Sequence, residues 1–141
     1  DLSDDQLVAV VNTARSAGCD GIVATNTTIE RPESSSKNEQ KVFAQTGGLS
    51  GAPLSFRSTE VIHQIYSMTN GEWPIVGVGG ISSAEDAWQK IGAGASLLQA
   101  YSGFVFEGAG LTKSVVNGLE KKLSEHGFKS IEEAVGFSHR S

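Results

Sequence analysis

Two glycine-rich stretches carry the most legible chemistry. Ile75-Val76-Gly77-Val78-Gly79-Gly80-Ile81-Ser82 is a short β-branched run that ends in a glycine pair. Ser82, with Glu85 three residues later, has the pattern of a helix start. A glycine pair at that point leaves backbone N–H groups bare and approachable, which suits an anion. The pattern partly recurs: Ala95-Ser96-Leu97-Leu98-Gln99-Ala100 reads as a strand, Tyr101-Ser102-Gly103 as its exit, and Gly108-Ala109-Gly110 leads into another helix. Two consecutive strand–helix units with such exits suggest one phosphate group held between them. Neither exit contains Lys or Arg. The donors would be backbone amides, the Ser102 hydroxyl and a helix dipole. The segment from Gly77 lacks the full Gly-x-Gly-x-x-Gly spacing, because position 82 is Ser.

Asn26-Thr27-Thr28 forms a third exit. Asn and Thr side chains offer donors and acceptors together, which suits a small planar ligand with carbonyl and N–H edges. A polar turn is the plainer alternative. The triplet also has the form of an N-glycosylation acceptor, but its place at a strand end argues against that use. His63, His126 and His139 are scattered over helices and the tail, without Cys, Asp or Glu at ligand spacing, so they are expected at the surface and no metal is expected. Cys19, beside Gly18, is expected to pack rather than react. Trp73 and Trp88 are expected to cover contacts between sheet and helices. No residue has the setting of a strong general base, so a catalytic acid–base group is expected outside this chain.

The elements that must position these residues follow from periodicity. Ser3 with Gln6 reads as a capping box, followed by Leu7, Val8, Val11 and Ala14 at helical spacing and by Gly18 as a stop. Ile22-Val23-Ala24-Thr25 reads as a short strand apolar on both faces, as in a covered parallel sheet. Residues 30–50 are polar and aperiodic at first and end in Gly47-Gly48-Leu49-Ser50-Gly51. That is a long connection, so it is either functional or mobile. A helix is expected over residues 55–69, with Val61, Ile62, Ile65 and Tyr66 on one face. Then come a strand at 75–78, a helix at 83–91, a strand at 95–100 and a long helix with Leu111, Val115, Val116, Leu119 and Leu123 as its buried stripe. Ser130 and Glu133 suggest a last capping box, with a short helix through Val135 and a polar tail over 136–141.

The order α β α β α β α α, without a hairpin signal, argues for parallel strands and right-handed crossovers. Three strands do not close a sheet. The simplest reading is an α/β fold, the C-terminal part of a (β/α)8 TIM barrel, carrying strands six to eight with their helices. A whole barrel runs to about 250 residues, and its sites lie at the C-terminal ends of strands, with phosphate after strands seven and eight. An open doubly wound sheet is the competing fold.

Composition narrows the classes. The chain has 141 residues, a net charge of −5 and no basic cluster, which makes nucleic acid a poor partner. Its single cysteine forms no internal disulfide, and a reducing compartment is expected. No apolar run approaches the roughly 20 residues that span a bilayer. The chain begins at Asp1 rather than Met, which leaves room for targeting information on a preceding part of the protein.

In order, Thr25-Asn26-Thr27-Thr28, Arg31-Pro32, Gly47-Gly48-Leu49-Ser50-Gly51 with Pro53-Leu54, Pro74-Ile75-Val76-Gly77-Val78-Gly79-Gly80, Gly92-Ala93-Gly94-Ala95-Ser96-Leu97 and Gln99-Ala100-Tyr101-Ser102 closely resemble class 2 dihydroorotate dehydrogenase. Gly127-Phe128 and His139-Arg140 fit the family's C-terminus, so the resemblance covers essentially the whole chain. It implies a flavoprotein oxidoreductase acting on a CH–CH bond: oxidation of dihydroorotate to orotate with FMN, electrons passed to quinone, in de novo pyrimidine biosynthesis. By position, Thr25, Ser50, Gly51, Gly79, Gly80, Tyr101 and Ser102 would bind FMN, the last four at its phosphate. Asn26 and Thr27 would bind the substrate. The family commonly has Thr where this chain has Ser102, and the hydroxyl is kept. The resemblance places the catalytic serine base, a flavin-contacting lysine, and the quinone- and membrane-binding region in an N-terminal part outside residues 1–141. It implies the mitochondrial inner membrane in a eukaryote or the cytoplasmic membrane in a bacterium. The polar insert near residues 33–45 is longer than the family leads one to expect and has no assigned role. Rival expectations are a phosphate-binding barrel enzyme without flavin, which should show a Lys or carboxylate at these strand ends, and a half-barrel that is inactive when isolated.

Overall fold

The computed structural model describes residues 1–140. Strands β1 (Ile22–Ala24), β2 (Ile75–Val78) and β3 (Leu97–Gln99) lie parallel in that spatial order. The register sets Val23 beside Val76 and Val76 beside Leu97, so these three side chains form one row on one face. Sequence order equals spatial order, with helices making each crossover, as the absence of hairpin turns requires.

Helix α1 (Asp4–Ser16) starts with the expected box: the Gln6 amide donates to Ser3 Oγ at 3.3 Å, and the Ser3 amide donates to Gln6 Oε1 at 2.9 Å. Leu7 and Val11 are buried, whereas Val8 lies 43% exposed, one position off the inward stripe. Helix α3 (Ser55–Met68) follows a 3-10 turn, Ala52–Leu54, and buries Ile62 and Ile65. Together with Trp73, Ile75 and Ala95 these residues make the main core, between the sheet, α1 and α3. A second cluster joins Trp88 and Ile91 of α4 (Ala84–Ala93) to Ala134 of α7 (Ile131–Ala134), with Leu119 and Leu123 of α6 (Gly110–His126) packed against it.

Several sequence expectations are corrected. Helix α4 is capped by Ser83, whose Oγ accepts the Asp86 amide at 3.2 Å; Ser82 stands one residue too early. The third strand shrinks from 95–100 to Leu97–Gln99, because the Ala95 amide still donates back to Lys90 O at 2.9 Å, at the exit of α4. Residues 30–50 contain a helix, α2 (Lys37–Phe43), which buries no residue and so has no apolar stripe to announce it. Val116 is 57% exposed rather than part of the α6 stripe. The Ser130 hydroxyl caps nothing, and Glu133 instead accepts the Lys129 amide at 2.8 Å. The tail is not simply polar: a 3-10 turn, Phe137–His139, stacks Phe137 on Trp88. Ser141, the last residue of that expected tail, lies outside the described residues. The Cys19 side chain is exposed, and its backbone makes the structural contacts: the carbonyl accepts from Trp73 Nε1 at 2.9 Å and the amide donates to Ala14 O at 3.1 Å.

The strand expected to be apolar on both covered faces is covered on one. Val23 is 60% exposed and Leu97 64% exposed, on the face away from α3 and α4. This is the side that would be the interior of a closed barrel.

Candidate functional site at the C-terminal strand ends

All nine sequence-predicted site residues lie at or beside the C-terminal ends of the strands. β1 runs into Thr25, Asn26 and Thr27, and its pairing with β2 continues through Thr25 N–H to Val78 O at 2.9 Å. The Ala24–Thr25 peptide is cis. Asn26 Oδ1 accepts the Thr27 amide at 2.8 Å, which fixes the carboxamide at the strand end while Asn26 and Thr27 stay exposed. Thr25 Oγ1 is buried and has no hydrogen-bond partner. A buried hydroxyl without a partner costs on the order of 1–3 kcal/mol, so it marks a place for a polar group that this chain does not supply.

The segment 47–51 folds back over this end. Thr28 and Leu49 form an antiparallel bridge, with Leu49 N–H to Thr28 O at 2.7 Å. Gly48 sits so close to Thr27 that an added Cβ would lie 1.9 Å from Thr27 Oγ1. Arg31 gathers the rest of the connection: its guanidinium donates to the carbonyls of Thr28, Glu30, Phe43, Gln45 and Gly47. The long insert is therefore tied to the strand end by one side chain.

Ser50 and Ser102 meet, Oγ to Oγ, at 2.5 Å, which joins the first exit loop to the third strand's exit. Ser50, Gly79, Gly80, Tyr101 and Ser102 line one small hollow. Thr25, Asn26 and Thr27 line a separate, more apolar one with Leu7, Val10, Leu54 and Ile65. The predicted residues thus form two groups rather than one pocket. Among the described residues outside its own segment, only Ser102 lies near Gly51, 3.8 Å from where a Cβ would stand, which leaves that backbone approachable. The Tyr101 ring is 76% exposed. Ser102 starts α5 (Ser102–Glu107), whose first turn has no side-chain cap.

The glycine pair has a different rationale from open access alone. Gly79 and Gly80 have φ of +118° and +70°, and a Cβ on Gly80 would fall 2.5 Å from Ser55 Cα. They are glycines because the turn is left-handed and the start of α3 backs onto it. Nor is the N-terminus of α4 vacant. Asp86 Oδ2 accepts from the Ser82 amide at 3.0 Å, from Ser82 Oγ at 3.0 Å and from Ser83 Oγ at 2.8 Å. Burial alone would raise the Asp86 pKa, but these hydrogen bonds outweigh it and hold it below the ordinary carboxylate value.

Two residues behind the turn escaped sequence reasoning. Ser58 Oγ is within 2.9 Å of Gly79 O, and Lys90 Nζ donates to Ser58 Oγ at 2.6 Å. The signal was present: Lys90 lies three residues after Ala87 and one before Ile91, on the helix's apolar face. The histidines also do more than sit at the surface. His63 stacks on His139 with ring centroids 3.8 Å apart, and His139 Nε2 lies 3.1 Å from Ala93 O. Among the described residues there is no group of three or more His, Cys, Asp or Glu arranged to hold a metal. A broad surface groove lies away from the strand ends, bordered by Phe56, His63, Trp88, Lys122 and Phe137. None of the predicted site residues borders it.

A family model described as dihydroorotate dehydrogenase matches residues 1–123. A relative from Trichodesmium erythraeum, named dihydroorotate dehydrogenase (quinone), is 46% identical over 99% of this chain and 38% of its own length. One of the same name from Synechococcus elongatus is 47% identical over 96% of this chain and 37% of its own length. The chain therefore spans less than two fifths of these relatives. Two crystal structures of DHODH from Eimeria tenella superpose on the entire chain. The ligand-free one has a TM-score of 0.91 at 37% identity and the complex with ferulenol a TM-score of 0.90 at 35%; the chain covers 38% and 36% of them.

Proposed function

This chain belongs to the dihydroorotate dehydrogenase family, and on that premise we propose that it forms the C-terminal part of an FMN-binding barrel that oxidises dihydroorotate to orotate. The observation that carries the reading is the buried, unpartnered Thr25 hydroxyl, which lies beside exposed Asn26 and Thr27 at the same strand ends as the Ser50–Ser102 contact and the Gly79–Gly80 turn. A flavin fits that donor set. Thr25 would take a polar atom of the ring system, Ser50 and Gly51 would lie against it, and Gly79, Gly80, Tyr101 and Ser102 would hold the phosphate. Bound FMN would supply the two-electron redox chemistry.

The chain's own residues bind and orient. The Asn26 carboxamide and Thr27 hydroxyl hold a planar pyrimidine edge through paired donors and acceptors. The Arg31-tied loop lies over that end and limits water. No general base stands at these strand ends, so the group that removes the substrate's ring proton comes from another part of the barrel. Electrons then pass to quinone, again through another part, which also contacts the membrane: the mitochondrial inner membrane in a eukaryote, the cytoplasmic membrane in a bacterium. Among the described residues, no helix is long and apolar enough to cross a membrane. The product serves pyrimidine biosynthesis.

The test is a visible absorption spectrum of the purified intact protein, followed by dihydroorotate without an electron acceptor. Flavin bands that bleach on addition are the expected result. Flavin bands that persist would force another substrate, and well-folded protein without flavin would leave a phosphate-binding barrel of different chemistry.

A further inference from the structure

Lys90 is fully buried, with none of its surface exposed. Its ammonium donates to Ser58 Oγ at 2.6 Å, to Thr59 Oγ1 at 3.0 Å and to Ser55 O at 3.3 Å, all on the first turns of α3. No carboxylate is hydrogen-bonded to it; Asp86, on the same helix, acts on the charge only through space. The ion pairs of the described residues, Arg15–Glu72, Arg57–Glu60, Lys121–Glu125 and Lys122–Glu85, lie elsewhere. A buried charge is normally retained only where an opposite charge or a functional demand offsets its desolvation.

The geometry shows where the demand lies. Ser58 accepts from Lys90, and its own proton can go to Gly79 O at 2.9 Å or Ser55 O at 3.0 Å. A chain of contacts thus runs from inside α4, through α3, to the glycine turn. The Gly79–Gly80 peptide is trans, so its carbonyl and N–H point in opposite directions. With Gly79 O drawn toward Ser58, the Gly80 N–H is turned away from α3. Among the described residues, the Gly80 amide donates to no loop or cap carbonyl. Gly80 borders the hollow shared with Ser50, Tyr101 and Ser102.

We propose that Lys90 is a positioning residue for the phosphate of the bound flavin: acting through Ser58 it aims the Gly80 amide at the anion, and it supplies beneath the turn the positive charge that the strand exits lack. This rests on the flavin reading above. It accounts for a phosphate site without Lys or Arg in either exit, because the cation enters from behind. Burial lowers the Lys90 pKa to about 8, partly countered by Asp86, so the side chain remains mostly protonated at neutral pH.

The test compares FMN with riboflavin, which differs only by the phosphate. Intact protein is stripped of flavin, and the affinity for each ligand is measured by quenching of flavin fluorescence, in wild type and in Lys90→Met. Loss of one charge a few ångströms behind the turn should weaken FMN about tenfold while riboflavin stays within about twofold. Equal weakening of both ligands would show a merely structural role and overturn the proposal, as would an unchanged FMN affinity. Lys90→Gln, which keeps a hydrogen-bond donor and removes the charge, answers the same question should Lys90→Met not fold. Wild type that prefers FMN, with variants that keep the preference, sinks the Lys90 role alone. Wild type that binds neither flavin sinks the flavin reading and this proposal together.

Discussion

Asn26 and Thr25 stand side by side yet ask for opposite experiments. Asn26 is exposed, and its oxygen is already engaged by the Thr27 amide, so it is oriented without being buried. Asn26→Ala should cost about 1–3 kcal/mol of substrate interaction, a loss of roughly five- to 150-fold in kcat/KM, with flavin content unchanged. Steady-state kinetics beside the flavin absorbance check this, and an unaltered kcat/KM would remove Asn26 from the substrate site. Thr25 carries a buried hydroxyl without a partner. Thr25→Val keeps its shape, so the flavin-free protein should melt no lower than wild type while FMN binds several-fold more weakly. A lower melting temperature with undiminished FMN affinity would mean that the hydroxyl serves the fold. Lys90 adds a pH signature. Its folded pKa of about 8 lies below the ordinary 10.5, so between those values the unfolded chain holds more protons. Stability from this group therefore rises with pH across that window and is missing below it, by about 3 kcal/mol in full. Denaturation of flavin-free protein from pH 8 to 10.5 should show wild type gaining on Lys90→Met.

The connections, rather than the strands, carry the surprises at the level of elements. The insert over residues 33–45 reads as structureless because α2 has no apolar stripe, yet Arg31 binds five carbonyls across it. Arg31→Ala should leave the core helices intact, open residues 37–48 to limited proteolysis and weaken substrate more than flavin. Unchanged proteolysis would show that the bridge between Thr28 and Leu49 suffices. The glycine turn is constrained by packing as much as by conformation, since Ser55 occupies the place of a Gly80 side chain. Gly80→Ala should therefore lower the melting temperature as well as FMN occupancy; lost occupancy at full stability would return the position to ligand access alone. At the C-terminal turn, burial and the adjacent His139 depress the His63 pKa. A lowered folded value means that the stabilisation is complete above the ordinary value near 6.5 and is lost as pH falls through the folded pKa. The Phe137–His139 turn should loosen on acidification, which hydrogen exchange at its amides would report, and His63→Phe should abolish that pH dependence.

At the scale of the molecule, the sheet is covered on one face and open on the other. Val23 and Leu97 project apolar surface from the same row, and both outer strands have an unpaired edge among the described residues. Such edges invite further pairing. In the proposed barrel the remaining strands cover both. The isolated chain should aggregate, and mixing it with a separately made N-terminal segment should restore flavin absorbance. Soluble, monomeric behaviour of the chain alone would contradict the need for a complement.

Periodicity and punctuation in the sequence determined the parallel α/β order, five of the seven α-helices of the described residues (α2 and α5 were not legible) and the strand-end positions of the candidate site residues. Those signals are local: an apolar stripe, a cap and a glycine turn are each written within about ten residues. Tertiary structure alone decided the Ser50–Ser102 contact, the Arg31 clasp, the orphaned Thr25 hydroxyl and the Lys90–Ser58–Gly79 chain. Each joins residues far apart in sequence, or depends on which polar atom is left without a partner. Neither property belongs to a single segment, so neither can be read before the segments are packed together.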